Sequence, residues 1–204
     1  MTESDVPSPI NFRDQRDAME WEGTAQARPG RAEMFEAFAR ELRGLGTDAL
    51  VVLELGSGPG FLAAYLLDAL PNLHLTLLDF SAPMNALARA RLEQQSPGVR
   101  FVERSFKDSG WSVGLGPFDA VVTNQAVHEL RHKRYALALH ASVRSVLKPG
   151  GSYLVSDHYF GEGGLQNDQL YMTAAEHQAA LVAAGFSNVR QVASFGSLVM
   201  HHAT

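Results

Sequence analysis

The feature that most constrains the fold is the stretch of residues 51–60, which reads Val-Val-Leu-Glu-Leu-Gly-Ser-Gly-Pro-Gly. An apolar run with a single carboxylate is followed there by glycines at every second position. Glycines at this spacing remove side chains where a ligand must approach the backbone, and they allow turns with φ > 0. Residues 61–70 then carry leucines at helical spacing, which places the glycines on a turn between a strand and a helix. In an open α/β sheet, ligands bind at such turns.

The rest of the chain alternates between apolar strands and helices. Further predicted strands lie at residues 73–79, 99–102, 118–123 and 153–157. Helical patterns cover residues 31–45, 82–94, 132–147 and 174–185, and a closing hairpin is predicted over 189–193 and 197–201. Strands that alternate with helices form a parallel sheet with helices on both faces. We therefore predict an α/β fold with a doubly wound, mostly parallel sheet.

The length of 204 residues indicates one domain. We predict an N-terminal tail and arm over residues 1–29, of which the first ten form a loose tail, and a single domain over residues 30–204. That domain would consist of an N-terminal helix (30–46), a ligand-binding core (50–157), and a short cover with a C-terminal helix and hairpin (158–204).

Composition excludes several classes of function. The net charge of −5 argues against unaided binding to long nucleic acid, which basic surface normally drives. The absence of cysteine excludes disulfides, zinc–cysteine sites and thiol nucleophiles, and it fits a reducing compartment. No apolar run approaches the roughly 20 residues that span a bilayer. The chain start also lacks the pattern of a signal peptide. We therefore predict a cytoplasmic protein without a membrane partner; the sequence allows a homodimer without indicating one.

Three residues narrow the range of possible ligands. The dinucleotide fingerprint requires a third glycine where this chain has Phe61, so a pyrophosphate is the weaker interpretation. Asp79, at the end of the second predicted strand, can accept hydrogen bonds from both hydroxyls of a ribose. Glu54 is costly inside an apolar strand unless it is paired. It either orients a cationic or amine-bearing ligand or braces the glycine turn.

Five segments in order carry a resemblance to a known family. They are residues 54–60 (Glu-Leu-Gly-Ser-Gly-Pro-Gly), 78–84 (Leu-Asp-Phe-Ser-Ala-Pro-Met), 118–124 (Phe-Asp-Ala-Val-Val-Thr-Asn), 146–151 (Val-Leu-Lys-Pro-Gly-Gly) and 183–186 (Ala-Ala-Gly-Phe). The chain resembles the class I S-adenosylmethionine-dependent methyltransferases over about residues 50–202. The resemblance implies a Rossmann-like, seven-stranded sheet with an antiparallel last strand, S-adenosylmethionine as cofactor and S-adenosylhomocysteine (SAH) as product.

The resemblance also implies roles for individual residues. Gly56 and Gly58 would face the methionine part of the cofactor, Asp79 would bind its ribose, and Phe80 and Met84 would flank its adenine. Many members carry an aspartate after the third strand for the adenine amino group; here Ser105 and Phe106 would take that position. The whole predicted set is Glu54, Gly56, Ser57, Gly58, Gly60, Asp79, Phe80, Met84, Ser105, Phe106, Asn124 and Gln125.

Methyl transfer from a sulfonium is an in-line displacement, so positioning the acceptor supplies much of the catalysis. The best candidate base is His128, because an ordinary histidine titrates near physiological pH; alternatively, it caps or packs its loop. Asp157 and His158 form a second candidate pair, with ordinary strand-end polarity as the alternative. A metal is disfavoured because Asn124 stands where catechol-type relatives carry an acid.

We predict a small-molecule acceptor, methylated at oxygen, nitrogen or carbon. Trp21 and Tyr159 are expected to wall its pocket. Residues 124–127 lack the Asn-Pro-Pro-Tyr of adenine-methylating enzymes, and the basic cluster at residues 131–134 is interpreted as a solvated helix start. Two alternatives stay open: a non-catalytic cofactor-binding or interaction module on the same fold, and an RNA methyltransferase that needs a partner.

Overall fold

The computed structural model describes residues 4–25, 28–47, 49–94 and 98–204. They form a seven-stranded sheet in the order β3-β2-β1-β4-β5-β7-β6. The strands are β1 (Val51–Leu55), β2 (His74–Asp79), β3 (Val99–Glu103), β4 (Phe118–Asn124), β5 (Leu147–His158), β6 (Val189–Phe195) and β7 (Leu198–Ala203). Within this described part of the chain, β7 alone runs antiparallel to its neighbours. The predicted sheet is therefore confirmed.

Helices cover both faces of the sheet. They are α1 (Gln15–Ala25), α2 (Arg31–Arg43), α3 (Phe61–Ala69), α4 (Ala82–Arg91), α5 (Ala136–Val146) and α6 (Ala174–Ala183), with single 3₁₀ turns at Val127–Leu130 and Lys133–Tyr135. The central strands are buried on both faces, so each face carries its own apolar cluster. None of the helices formed by the described residues is long and apolar enough to cross a membrane.

Two helix starts confirm the capping predicted from the sequence. The Ser81 hydroxyl accepts a hydrogen bond from the Met84 N–H at 3.0 Å, which begins α4. At α6, Thr173 and Glu176 form a reciprocal capping box, with hydrogen bonds of 3.1 and 2.8 Å. These bonds satisfy N–H groups that have no partner within the helix.

The boundaries differ from the prediction around β5. That strand begins at Leu147, so residues 148–151, predicted to separate helix and strand, belong to it instead. A shift in the β4–β5 pairing between Phe118 and Ala120 accommodates them. The preceding helix, α5, begins four residues later than predicted, because a 3₁₀ turn comes first.

Residues 4–10 are not the loose tail that the sequence suggested, and residues 1–3 of that predicted tail lie outside the described residues. The Val6 N–H donates to the Arg131 carbonyl at 2.8 Å, and the Arg131 guanidinium donates to the carbonyls of Val6 and Pro7 at 2.9 and 2.7 Å. Arg134 pairs with Asp5 at 2.6 Å. Two members of the basic cluster at residues 131–134, the buried Arg131 and Arg134, therefore anchor this segment, while Lys133 pairs with Glu176 at 2.7 Å. The cluster is not simply a solvated helix start.

Candidate active site

A cleft opens at the point where the strand order reverses, between the carboxyl ends of β1 and β4. It encloses about 810 Å³ of empty space, its open mouth included. The topology explains its position, because the connections from β1 and from β4 leave toward opposite faces of the sheet. The residues that line it are Phe12, Trp21, Arg28, Arg31, Phe35, Glu54, Gly56, Ser57, Gly58, Pro59, Phe61, Leu62, Asp79, Phe80, Met84, Phe106, Asn124, Gln125, Ala126, His128 and Glu129.

The floor of the cleft is the glycine loop between β1 and α3. Gly56 has φ of +67°, and a Cβ there would lie 2.5 Å from the Cβ of Ala126. Asp79 holds the loop from below, because one of its carboxylate oxygens accepts from the Gly58 N–H at 2.8 Å. Its other oxygen accepts from the Ser81 N–H at 2.9 Å. The loop is therefore fixed in position, and its backbone is open to the cleft.

Glu54 is a buried carboxyl group with an unsatisfied oxygen. Its side chain is almost inaccessible, and its Oε2 has no hydrogen-bond partner. Burial, assisted by the neighbouring charge of Asp79, raises the pKa of Glu54 to about 8. A group in this state is ready to accept a cationic partner that the free protein does not supply.

The N-terminal arm forms one wall of the cleft. The rings of Phe12 and Trp21 meet edge to face, with centroids 5.9 Å apart. The Ser81 hydroxyl donates to the Phe12 carbonyl and so connects this arm to the start of α4. The guanidinium of Arg28 lies 5.2 Å from the Trp21 ring centroid. Trp21 therefore lines the cleft, and its role as a wall of the acceptor pocket stays a prediction.

Arg31, the first residue of α2, is the most buried cation of this wall. It is 9% exposed, and its Nε has no hydrogen-bond partner. Its guanidinium lies 5.0 Å from the ring centroid of Phe61 and 5.6 Å from that of Phe35. Burial, together with the charges of Arg28 and Arg91, lowers the pKa of Arg31 to about 10, so it remains a cation at neutral pH.

His128 and Asp157 form a tight pair beside the cleft. One Asp157 oxygen lies 2.6 Å from Nδ1 of His128, and the other accepts from the His128 backbone N–H at 2.7 Å. Burial by itself would lower the pKa of His128, but the Asp157 carboxylate raises it to about 10. Burial by itself would raise the pKa of Asp157, but His128 outweighs this effect and lowers that pKa to about 2. At neutral pH the pair is an imidazolium and a carboxylate, so His128 must lose a proton before it can act as a base.

Asp157 and His158 themselves lie behind the cleft rather than in its wall. His158 Nδ1 is 2.7 Å from the Ser197 hydroxyl, and burial lowers the pKa of His158 to about 4. Tyr159, predicted to wall the acceptor pocket, does not line the cleft either. Its hydroxyl donates to the Glu162 carbonyl at 3.2 Å, within its own loop. The prediction for Tyr159 was therefore wrong, because that loop folds back on itself.

Most of the residues predicted to bind the cofactor meet in this cleft; Gly60 and Ser105 do not line it. Gly60 instead lets α3 approach α4, because a Cβ there would lie 3.2 Å from that of Ala88. The Ser105 hydroxyl accepts from the Lys107 N–H at 3.2 Å and shapes the loop after β3. Phe106, the neighbour of Ser105, does line the cleft.

Sequence reasoning named Trp21 and the N-terminal helix as a cover of the site, but it assigned no site role to Phe12, Arg28 or Arg31. Helix α1 is mostly polar, with only Ala18 and Ala25 buried, so no apolar periodicity indicated it. Arg28 and Arg31 flank a Pro-Gly turn in which Gly30 has φ of +77°. That turn was the only signal that the two arginines could face one site. Among the described residues, no three histidine or acidic side chains are arranged to hold a metal ion.

The chain matches known methyltransferases in sequence. Residues 52–151 match a family model described as a methyltransferase domain. An uncharacterised methyltransferase of Mycobacterium tuberculosis is 31% identical over 121 residues, 59% of this chain and 56% of that protein. The malonyl-[acyl-carrier protein] O-methyltransferase of a Paenibacillus species is 29% identical over 114 residues, 55% of this chain and 40% of that protein. The chain thus spans about half the length of these curated relatives.

Solved structures extend the match to nearly the whole chain. DhpI in its complex with SAH is 25% identical, with a TM-score of 0.71, and the match covers 93% of this chain and 92% of DhpI. PigF with SAH has the same TM-score at 19% identity, over 94% of this chain and 60% of PigF. The latter similarity concerns the fold. Together with the sequence matches, these findings show that the chain belongs to the class I, Rossmann-like family of S-adenosylmethionine-dependent methyltransferases.

Proposed function

We propose that the protein binds S-adenosylmethionine in this cleft and transfers its methyl group to a small-molecule acceptor. The observation that carries the proposal is a buried carboxyl group and a buried cation in one cleft, Glu54 and Arg31, each with an unsatisfied polar atom. The methionine part of the cofactor has an ammonium and a carboxylate. Glu54, once it has lost its proton, would pair with the ammonium, and Arg31 would pair with the carboxylate.

The rest of the cofactor would follow the cleft from the glycine loop toward α4. Asp79 keeps lone pairs available for the ribose hydroxyls, although both of its oxygens already accept backbone N–H groups. Phe80, Met84 and Phe106 provide apolar surface for an adenine ring. The unsatisfied, buried Oδ1 of Asn124 and the neighbouring Gln125 offer further polar contacts.

The acceptor would lie beside His128, on the side of the cleft closed by Trp21. Because the sulfonium is already activated, the protein needs mainly to align the acceptor with the methyl group and to exclude water. Asp157 fixes the imidazole of His128 and keeps it protonated at neutral pH. We propose that His128 primarily positions the acceptor. Any action as a base would appear as a rate that rises with pH toward about 10.

Calorimetry with S-adenosylmethionine and SAH, followed by a screen for SAH release over a panel of small acceptors, tests the proposal. We expect both cofactors to bind and at least one acceptor to be methylated. Failure of both cofactors to bind at millimolar concentration would contradict the proposal. Binding without turnover on any acceptor would instead favour a non-catalytic module. Binding of RNA that weakens steeply with salt would indicate an RNA methyltransferase. The cytoplasmic location stays a prediction.

Glu54→Gln is expected to separate cofactor binding from stability. The pKa of Glu54 rises from 4.5 to about 8 on folding, so the folded protein holds a proton that the unfolded chain releases. Stability conferred by the wild-type residue therefore falls as pH rises from 4.5 to 8. Gln removes this fall, so the free variant should melt higher than the wild type at pH 8.

The same substitution should weaken binding of the cofactor. An ammonium favours ionised Glu54, so SAH affinity of the wild type should increase between pH 6 and pH 8, and in Glu54→Gln it should be lower and flat. Calorimetry across this range measures both. Glu129→Gln is the matched control, because Glu129 also lines the cleft but already contacts His128 and Arg131. Unchanged SAH affinity in Glu54→Gln would show that Glu54 only braces the loop.

A further inference from the structure

Two arginines, Arg28 and Arg31, line the cleft, and Asp79 and Glu129, which line it with them, contact other groups. Among the residues that the structure describes, no carboxylate forms an ion pair with Arg28 or Arg31. Arg91, the third arginine nearby, pairs with Glu22 and donates to the Pro59 carbonyl. Arg31 is buried, whereas Arg28 is exposed. For the buried Arg31 the lack of a counter-ion is costly, and the neighbouring guanidinium groups add repulsion. Such an arrangement is retained where an anionic ligand completes it.

The acids of the same cleft do not offset this charge. Both oxygens of Asp79 accept backbone N–H groups from the glycine loop and the start of α4. Glu129 lies 3.4 Å from His128 and 3.4 Å from Arg131. Glu54 is buried beneath the loop and held mainly protonated at neutral pH. The two arginines of the N-terminal wall are therefore free to bind anions.

The proposed cofactor supplies only one anionic group. Arg31 is placed for it, because its guanidinium lies over Phe61, which begins α3 directly after the glycine loop. The charge of Arg91 also acts on Arg31, and the Nε of Arg91 donates to the Pro59 carbonyl in that loop. The cofactor carboxylate would thus pair with Arg31, and Arg28 would still have no anionic partner.

Arg28 belongs to the same wall of the cleft but, unlike Arg31, is exposed. Its charge reaches both Arg31 and His158, and the ring of His158 lies 5.6 Å from that of His128, beside which the acceptor is proposed to lie. It also stacks on Trp21, which closes the same side. An arginine held by an aromatic face can still use its fork of N–H donors for an oxyanion.

We propose that Arg28 recognises the acceptor, and that the acceptor is a small molecule bearing a carboxylate or a phosphoryl-type oxyanion. The inference rests on the proposed function, since it assumes that the cofactor carboxylate pairs with Arg31. Arg28 is a recognition residue in this role: it binds an oxyanion of the acceptor and holds the molecule next to His128. A neutral acceptor would form no ion pair with its guanidinium, and a cationic acceptor would be repelled by it.

Binding of simple anions to the protein saturated with SAH tests the proposal without knowledge of the acceptor. The probes are benzoate and phenylphosphonate, with benzamide as the neutral analogue, measured by calorimetry on the wild type, Arg28→Gln and Arg28→Lys. Arg89→Gln is the matched control, because Arg89 also stacks on an aromatic ring, Phe101 at 4.0 Å, but lies outside the cleft.

We expect at least one anion to bind the wild type and the Arg89→Gln variant, and benzamide to bind neither. Arg28→Gln should weaken the affinity for the anion about tenfold or more. Arg28→Lys keeps the positive charge but not the paired N–H donors of the guanidinium, so its affinity should lie between those of the wild type and Arg28→Gln. SAH affinity should not change in any of these variants. The probe that binds more tightly distinguishes a carboxylate from a phosphoryl acceptor.

Two results would overturn the inference. One is that neither anion binds the wild type; the other is that Arg28→Gln binds the anion as well as the wild type does. Both leave the proposed function intact if SAH still binds and some neutral or cationic acceptor is methylated. If SAH itself does not bind, the proposed function fails, and the same titrations on the free protein still decide whether Arg28 binds anions.

Discussion

Replacing Gly56 by alanine is expected to destabilise the protein by about 2–4 kcal/mol, because two costs combine. The residue has φ of +67°, which alanine adopts only with strain. The new Cβ would also lie 2.5 Å from the Cβ of Ala126, so the loop after β4 must move. For a chain of this length, the melting temperature should fall by roughly 5–15 °C. Thermal unfolding monitored by circular dichroism measures it.

Gly58→Ala is the matched control for this prediction. Gly58 also has positive φ, +53°, but a Cβ there would have nothing within 4 Å. Its N–H, which donates to Asp79, is kept in alanine. The control should therefore cost only the backbone strain, about 1–2 kcal/mol. Equal losses for the two variants would mean that the contact with Ala126 does not matter and that φ alone explains the glycines.

Asp157→Asn is expected to cost about 3–5 kcal/mol, the usual penalty for breaking a buried ion pair. The two carboxylate oxygens accept from the backbone N–H groups of His128 and His158, each at 2.7 Å. Whichever way the amide is turned, its NH₂ faces one of these donors. The variant also removes the charge that keeps His128 protonated, so the pKa of His128 should fall. Thermal unfolding and an NMR titration of the imidazole measure the two effects.

The stability difference between wild type and Asp157→Asn should depend on pH. The pair's contribution is complete between the ordinary pKa values, 3.8 for Asp157 and 6.5 for His128. It is lost as pH rises from 6.5 through about 10, and as pH falls from 3.8 through about 2. The difference should thus be larger at pH 5.5 than at pH 9.5. A difference that grew with pH would contradict an ionised pair.

Asp119→Asn is the control for Asp157→Asn, because Asp119 also accepts from a backbone N–H, that of Val51 at 2.9 Å, and from a cation, Lys148 at 2.7 Å. It lies near the surface, and its amide can keep the bond to Val51 while losing only the exposed ion pair. We expect a loss of about 1 kcal/mol or less.

How far the sequence predicts the site depends on whether a residue acts through local structure. Glycine spacing, the Ser81 cap and the acid ending β2 follow from backbone rules that operate over a few residues, so Gly56 and Asp79 could be predicted. The sequence could not show which of Ser105 and Phe106 lines the cleft, because the conformation of the loop after β3 decides this.

The sequence by itself determined the α/β fold, the glycine turn at the carboxyl end of β1 and the family to which these belong, because apolar periodicity and glycine placement are local consequences of backbone geometry. Only the tertiary structure decided the charge state of His128 and the partners of the arginines. Those depend on burial and on contacts across long separations in sequence, such as His128 with Asp157 and Arg131 with Val6. A pKa or an unsatisfied guanidinium is set by what surrounds the group in space, and no spacing along the chain encodes that.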